Sequence, residues 1–305
     1  MGSFFNLVYI LHISYYNGYG DRMLISAKEM VNKAKREGYA VPHFNINNLE
    51  WTRFILEECE EKRSPVILGV SESAVAYMGG YDVVTSIVLS LLKDLNITIP
   101  VSLHLDHGKS PSSCKHAIDA GFTSVMIDAS LDELEENIQK TIEVVEYAKD
   151  KNVSVEAEVG AVGTEEEGVA RESMYAKVED CLTFVLKTHT HLLAPALGSV
   201  HGIYKGEPKL DFERMKEISV QTKLPLVLHG GTGIPDDMIE KAIICGVHKI
   251  NINTELQMAW SASVRTFLFE NKEVYDPRKI MKAGECAMKE KIAAKITLLG
   301  SMNRA

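Results

Sequence analysis

The chain has 305 residues, 46% of them hydrophobic, enough to bury a large core as one barrel or as two smaller domains. Its formal charge is -9 and no Lys/Arg run is dense enough to form a basic stripe, which excludes nucleic acid and anionic membrane surfaces as partners. Five scattered cysteines (Cys59, Cys114, Cys181, Cys245, Cys286) have no disulfide-scaffold spacing and fit core thiols in a reducing cytoplasm.

Residues 1–22 include an apolar, aromatic stretch at 4–11 with no basic residue before it and no small-residue cleavage site after it. The stretch is too short to span a bilayer and reads as an extension ahead of a domain covering 23–305. A helical pattern begins at Met23, where Ser26 can cap and Glu29 stands at the capping-box position. Strands are then predicted over 40–46, 66–70, 101–105, 124–128, 153–159, 192–197, 224–229 and 249–252. Amphipathic stretches of crossover length lie between them at 49–61, 81–92, 111–120, 134–149, 178–187, 212–221 and 236–245. Eight near-continuous aliphatic strands, each followed by a helix, predict an α/β fold, a parallel (β/α)8 TIM barrel, with a doubly wound open sheet as the alternative. The tail from Glu255 to Ala305 supplies the eighth helix and additional C-terminal helices, a candidate subunit contact.

Three segments close a strand with histidine and glycine: Asp106-His107-Gly108, Val200-His201-Gly202 and Leu228-His229-Gly230. Three imidazoles aimed into one mouth suggest a catalytic zinc, which takes three protein ligands and keeps its remaining position for water or substrate. No cysteine lies beside them to make a closed structural site. In a barrel, Asp106, His107, Asp128, Glu158, His201, His229 and the run 251–254 all fall at carboxyl ends of strands, where active sites of this fold sit.

The stretches LHLDHG (103–108), GFTSVMIDAS (121–130), VSVEAEVG (153–160), LAPALGSVHGIYKGEP (193–208), LPLVLHGGTGIP (224–235), KININTE (249–255) and YDPRK (275–279) resemble the class II, zinc-dependent fructose-bisphosphate aldolases and their tagatose-bisphosphate aldolase relatives. The similarity runs from Met23 to Ala305. It implies a cytoplasmic lyase of glycolysis and gluconeogenesis, a homodimer or larger assembly. Its reaction would be reversible cleavage of fructose 1,6-bisphosphate to dihydroxyacetone phosphate and glyceraldehyde 3-phosphate through a zinc-stabilised enediolate.

The resemblance also distributes roles. Zinc falls to His107, His201 and His229, and a second divalent or monovalent cation to Asp128 and Glu158. Asp106 handles the proton of the hydroxyl on the aldehyde-side carbon. Glu166, with Glu165 as fallback, exchanges the proton at the donor carbon from the glycine-bounded acidic loop 160–168. The phosphosugar is bound by Gly202, Gly230, Gly231, Thr232, Asn251, Ile252, Asn253 and Thr254, with Lys205 as an added charge and Arg265, across a subunit boundary, for the distal phosphate.

On their own chemistry these residues leave alternatives open. Asp106 also reads as a carboxylate orienting a histidine, the acidic loop as a solvated turn, and Asp128 and Glu158 as strand-end hydrogen-bond partners. Carbon–carbon cleavage beside a ketone needs an electron sink, and Lys249 at the start of the eighth strand competes with the metal as a Schiff-base lysine. The three histidines make it unnecessary. A zinc hydrolase on the same barrel, and a barrel kept only for binding, are the remaining readings. The chain departs from the family pattern at Leu131-Asp132-Glu133-Leu134, at Thr164 and at Pro42-His43.

Overall fold

The computed structural model describes residues 24–165 and 175–305, with Thr164 and Glu165 described by backbone only. Helix α1 (Ala27–Glu37) precedes strand β1 (Val41–Asn45), helix α2 (Leu49–Glu61) and strand β2 (Val66–Ser71). Helices α3 (Glu72–Met78) and α4 (Tyr81–Asp94) lead to β3 (Val101–Gly108), α5 (Pro111–Asp119) and β4 (Ser124–Ile127). Then come α6 (Leu134–Ala148), β5 (Ser154–Val159), the short β6 (Gly163–Glu165) and α7 (Val178–Thr188). The chain continues through β7 (Leu192–Pro195), β8 (Val200–Gly202), α8 (Phe212–Thr222), β9 (Leu226–Leu228), α9 (Asp236–Ile244) and β10 (Val247–Ile252). Helices α10 (Thr254–Glu270), α11 (Pro277–Lys282) and α12 (Glu285–Leu298) complete it.

Eight strands close in the order β1-β2-β3-β4-β5-β7-β9-β10 and back to β1, every neighbouring pair parallel. This is the predicted (β/α)8 barrel, and the open-sheet alternative falls. Helices cover the outside, so outward residues such as Leu68, Leu103, Leu105, Val125 and Val155 are fully buried and the strands read as aliphatic runs. Four of the five cysteines are buried, and Cys286 is exposed. Among the described residues no single helix is long and apolar enough to cross a membrane.

Three local expectations need correction. Helix α1 starts at Ala27, but the Ser26 side chain makes no capping bond, and the Glu29 carboxylate accepts from Asn152 Nδ2 at 3.3 Å instead of closing a capping box. The sixth barrel strand stops at Pro195, so His201 does not sit on a barrel strand but on β8, paired with β6 outside the barrel. Proline has no N–H to continue the ladder, and Gly198, at φ +98°, turns the chain where a Cβ would be 2.1 Å from the Lys209 carbonyl oxygen. Helix α3 is an addition that periodicity missed; the Ser71 hydroxyl caps it by accepting from the Ala74 N–H at 3.2 Å.

Helix α1 closes the amino-terminal end of the barrel. Its Ala27, Met30, Val31 and Ala34 pack on the inward residues Val41, Ile67, Leu192 and Val227. Burying Met30 and Val31 there stabilises the closure by roughly 1.5–3 kcal/mol each.

Candidate active site

At the opposite, carboxyl end of the strands lies a cavity of about 880 Å³, lined by Asp106, His107, His201, Gly230 and Asn251 among others. Successive strand residues normally face opposite sides of a sheet. His107 breaks that alternation with φ +52°, at a register shift between β3 and β4, so that Asp106 and His107 both open onto the cavity. A histidine in this left-handed conformation carries about 1–3 kcal/mol of backbone strain, which the surrounding contacts must hold.

The three imidazoles converge. His229 Nδ1 is 3.0 Å from His107 Nε2 and 3.4 Å from His201 Nε2. Donors at the usual zinc–nitrogen distance, arranged tetrahedrally, stand about 3.3–3.4 Å apart, so the three nitrogens fit one small divalent cation with an open position. The outer nitrogens of two rings are fixed: His107 Nδ1 lies 2.7 Å from Asp128 Oδ2, and His229 Nε2 lies 2.9 Å from Glu156 Oε1.

His201 reaches the group although it lies off the barrel. Register pairs Thr164 with His201 and Glu165 with Gly202 across the two-stranded β6–β8 sheet. Tyr204 pins that sheet to the barrel: its Oη accepts from the Val200 N–H at 3.1 Å and donates to the Gly230 carbonyl at 3.2 Å. Gly230, at φ +67°, runs so close beneath that a Cβ would sit 2.1 Å from the Val200 carbonyl oxygen. Only glycine satisfies both the backbone and the approach.

Asp106 accepts from Asn45 Nδ2 at 2.8 Å and from Asn251 Nδ2 at 3.3 Å. Burial works against its ionisation, but the neighbouring histidines, His43 and His107 foremost, and Lys249 hold it well below the ordinary Asp value. Burial also opposes a charge on His107, yet Asp106 and the Asp128 hydrogen bond keep its imidazole up at about 10. His201 is pushed well below its usual range by burial and by the His107 charge. Asp128, tied to His107 and to the Ser130 hydroxyl at 2.7 Å, is held low despite its burial. Glu158 goes the other way: burial and the Asp128 charge push it up to about 7. His107, Asp128 and Glu158 form a second group whose donor atoms lie within 4.8 Å of one another.

Beneath the cavity the barrel is charged. Lys249 Nζ lies 2.8 Å from Glu156 Oε2, with both side chains fully buried, which removes Lys249 from contention as a Schiff-base lysine open to substrate. Next to it, His43 Nε2 is 3.8 Å from Asp106 Oδ2, and among the described residues neither His43 ring nitrogen has a hydrogen-bond partner. His43 lies directly over Gly69, where a Cβ would come within 1.7 Å of Nε2.

The proposed phosphate corner is partly assembled. Gly202, Gly230, Thr232, Asn251, Asn253 and Thr254 line the cavity at the start of α10. Gly231 does not line it; its N–H donates to the Asn251 carbonyl at 3.0 Å and is spent inside the sheet. Ile252 is a buried core residue on β10 paired with Phe44. Lys205 and Arg265 are both exposed and neither is among the cavity-lining residues. Glu166 lies outside the described residues. Sequence reasoning missed Asn45, Tyr204 and Glu156; only Glu156 left a signal, a second carboxylate two residues before Glu158 on a fully buried strand.

A closed parallel barrel with three convergent imidazoles and a buried, ionised carboxylate at its carboxyl mouth defines a metal-dependent barrel enzyme. The comparisons with known proteins narrow the class. The family description "Fructose-bisphosphate aldolase class-II" matches residues 25–304. A fructose-bisphosphate aldolase of Staphylococcus aureus is 56% identical over 283 residues, 92% of this chain and 99% of the relative. The fructose-bisphosphate aldolase of Geobacillus stearothermophilus is 55% identical over the same shares. Among solved structures, the YdjI aldolase of Escherichia coli K12 superimposes with a TM-score of 0.81 at 34% identity, covering 92% of this chain and 99% of its own. The chain belongs to the class II fructose-bisphosphate aldolase family, whose members are metal-dependent lyases.

Proposed function

We propose that this protein reversibly cleaves fructose 1,6-bisphosphate into dihydroxyacetone phosphate and glyceraldehyde 3-phosphate. The observation that carries the reading is the meeting of three imidazole nitrogens, 3.0 and 3.4 Å apart, beside an ionised Asp106 in one cavity of a chain of this family.

His107 Nε2, His201 Nε2 and His229 Nδ1 would hold zinc, which supplies the electron sink beside the substrate ketone. Asp106 is the base in the cleavage direction: held ionised, it takes the proton of the hydroxyl on the carbon that becomes the aldehyde, and returns it in condensation. Asn45 and Asn251 aim its two oxygens. Glu166 exchanges the proton at the donor carbon, and support comes from β6, which ends one residue before it, opposite Gly202. Asp128 and Glu158 take a second cation, their oxygens lying close to each other beside His107. The phosphate nearest the ketone lies against Gly202, Gly230, Thr232 and Asn253, where the amino-terminal end of the 17-residue α10 favours an anion.

Residues 23–305 act as the catalytic domain, in the cytoplasm, as a homo-oligomer. Support for association comes from α10 and the turn after it, where Met258, Leu268, Phe269 and Tyr275 are exposed apolar side chains.

The test is cleavage of fructose 1,6-bisphosphate before and after chelation, with zinc added back and tagatose 1,6-bisphosphate run in parallel. Activity lost on chelation and restored by zinc is expected, with faster turnover of the fructose sugar. Activity that survives complete metal removal overturns the reading, and preference for the tagatose sugar renames the substrate.

A further inference from the structure

We infer that the buried Lys249–Glu156 pair is a positioning device for His229, fixing which of its ring nitrogens faces His107 and His201. The inference rests on the zinc reading of the three histidines. Glu156 sits on β5 and Lys249 on β10, both fully buried, with Nζ 2.8 Å from Oε2 and 3.1 Å from Oε1. The same Oε1 is 2.9 Å from His229 Nε2. A carboxylate only accepts, so this contact requires the proton to be on Nε2 and leaves the Nδ1 lone pair toward His107 and His201. Were the proton on Nδ1 instead, an N–H would point at the other two nitrogens and Nε2 would face the carboxylate lone pair to lone pair.

The position of the pair is itself informative. Glu156 and Lys249 are both fully buried, and neither is among the residues that line the cavity. An uncompensated carboxylate at this depth would be costly, and Lys249 offsets its charge. Asn251 adds a second constraint, its Nδ2 lying 3.3 Å from His229 Nδ1 while also donating to Asp106. One lysine and one glutamate therefore set the orientation of a metal-facing ring from beneath.

The experiment replaces the pair by neutral side chains of similar volume and reads zinc affinity by competition with a chromophoric chelator, a measurement independent of turnover. Glu156→Met with Lys249→Met removes the acceptor, and zinc affinity is expected to fall 10–100-fold, the usual cost of losing such an outer partner. Glu156→Gln with Lys249→Met keeps an oxygen acceptor for Nε2–H and is expected to restore most of that loss. Equal losses in the two doubles, or wild-type affinity in the Met double, overturns the inference. Should the Met double fail to fold, Glu156→Asp keeps both charges but withdraws the carboxylate by one methylene, and it must lower zinc affinity as well. Wild-type protein that takes up no zinc sinks the zinc reading together with this inference; wild-type protein that binds zinc beside an unaffected Met double sinks the inference alone.

Discussion

The amide of Asn45 donates to Asp106 Oδ2 at 2.8 Å, joining the last residue of β1 to the functional end of β3. A hydrogen bond to a charged group contributes about 1.5–3 kcal/mol. If the bond serves to aim the carboxylate, Asn45→Ala should lower kcat by roughly 10–100-fold. Asp106→Asn should cost more, on the order of 10²–10⁴. Steady-state kinetics checks both, and an Asn45→Ala enzyme within twofold of wild type would show that the bond positions nothing.

Glu158 is pushed up to about 7 from an ordinary value of 4.5. Between those two pH values the folded, metal-free chain keeps the proton while the unfolded chain has lost it. Its contribution to stability therefore declines as pH rises from 4.5 to about 7 and is flat above that, by about 3 kcal/mol in all. Glu158→Gln should raise the Tm of the metal-free protein at pH 8, and the gap should close toward pH 5. A gap that does not change with pH rules the titration out.

His107, held up at about 10, is protonated at pH 8 in the metal-free protein, whereas a metal ligand must be neutral. Zinc uptake at pH 8 in weak buffer should then release about one proton per ion, visible with an indicator dye. His107→Asn should abolish most of the release. Zinc binding without a proton count would place the charge on His107 elsewhere.

Gly69→Ala should destabilise the fold by about 1–3 kcal/mol, because the new Cβ lands 1.7 Å from His43 Nε2. Combining it with His43→Ala should recover most of that loss, since the smaller side chain vacates the space. Urea unfolding midpoints of the two single variants and the double measure the coupling. An unchanged Gly69→Ala cost in the His43→Ala background assigns the damage to the backbone instead.

The barrel was legible because both faces of its strands are buried, which writes β2 as a nearly continuous aliphatic run and β3, β5 and β10 as aliphatic residues alternating with the polar groups of the barrel interior. What lay hidden depends on register between distant segments. His201 looks in sequence like the end of a sixth barrel strand, and only its pairing with Thr164 reveals a separate two-stranded sheet. Asn45 and Asp106 are 61 residues apart, and nothing local to either announces the bond. Glu156 and Lys249 are 93 apart and each looks anomalous alone; together they are an ion pair. The three imidazoles were legible because each is followed directly by glycine. Lys205 and Arg265 are exposed outside this chain's cavity, and a role across a subunit boundary leaves no local mark in one chain's sequence.

Helix α1, with Met30 and Val31 seated against Val41, Ile67, Leu192 and Val227, gives the barrel a floor. Among the described residues the cavity lies at the carboxyl end of the strands, and α1 stops up the other end. A substrate that meets Asp106 and the histidines therefore enters from the carboxyl side of the strands and not through the barrel.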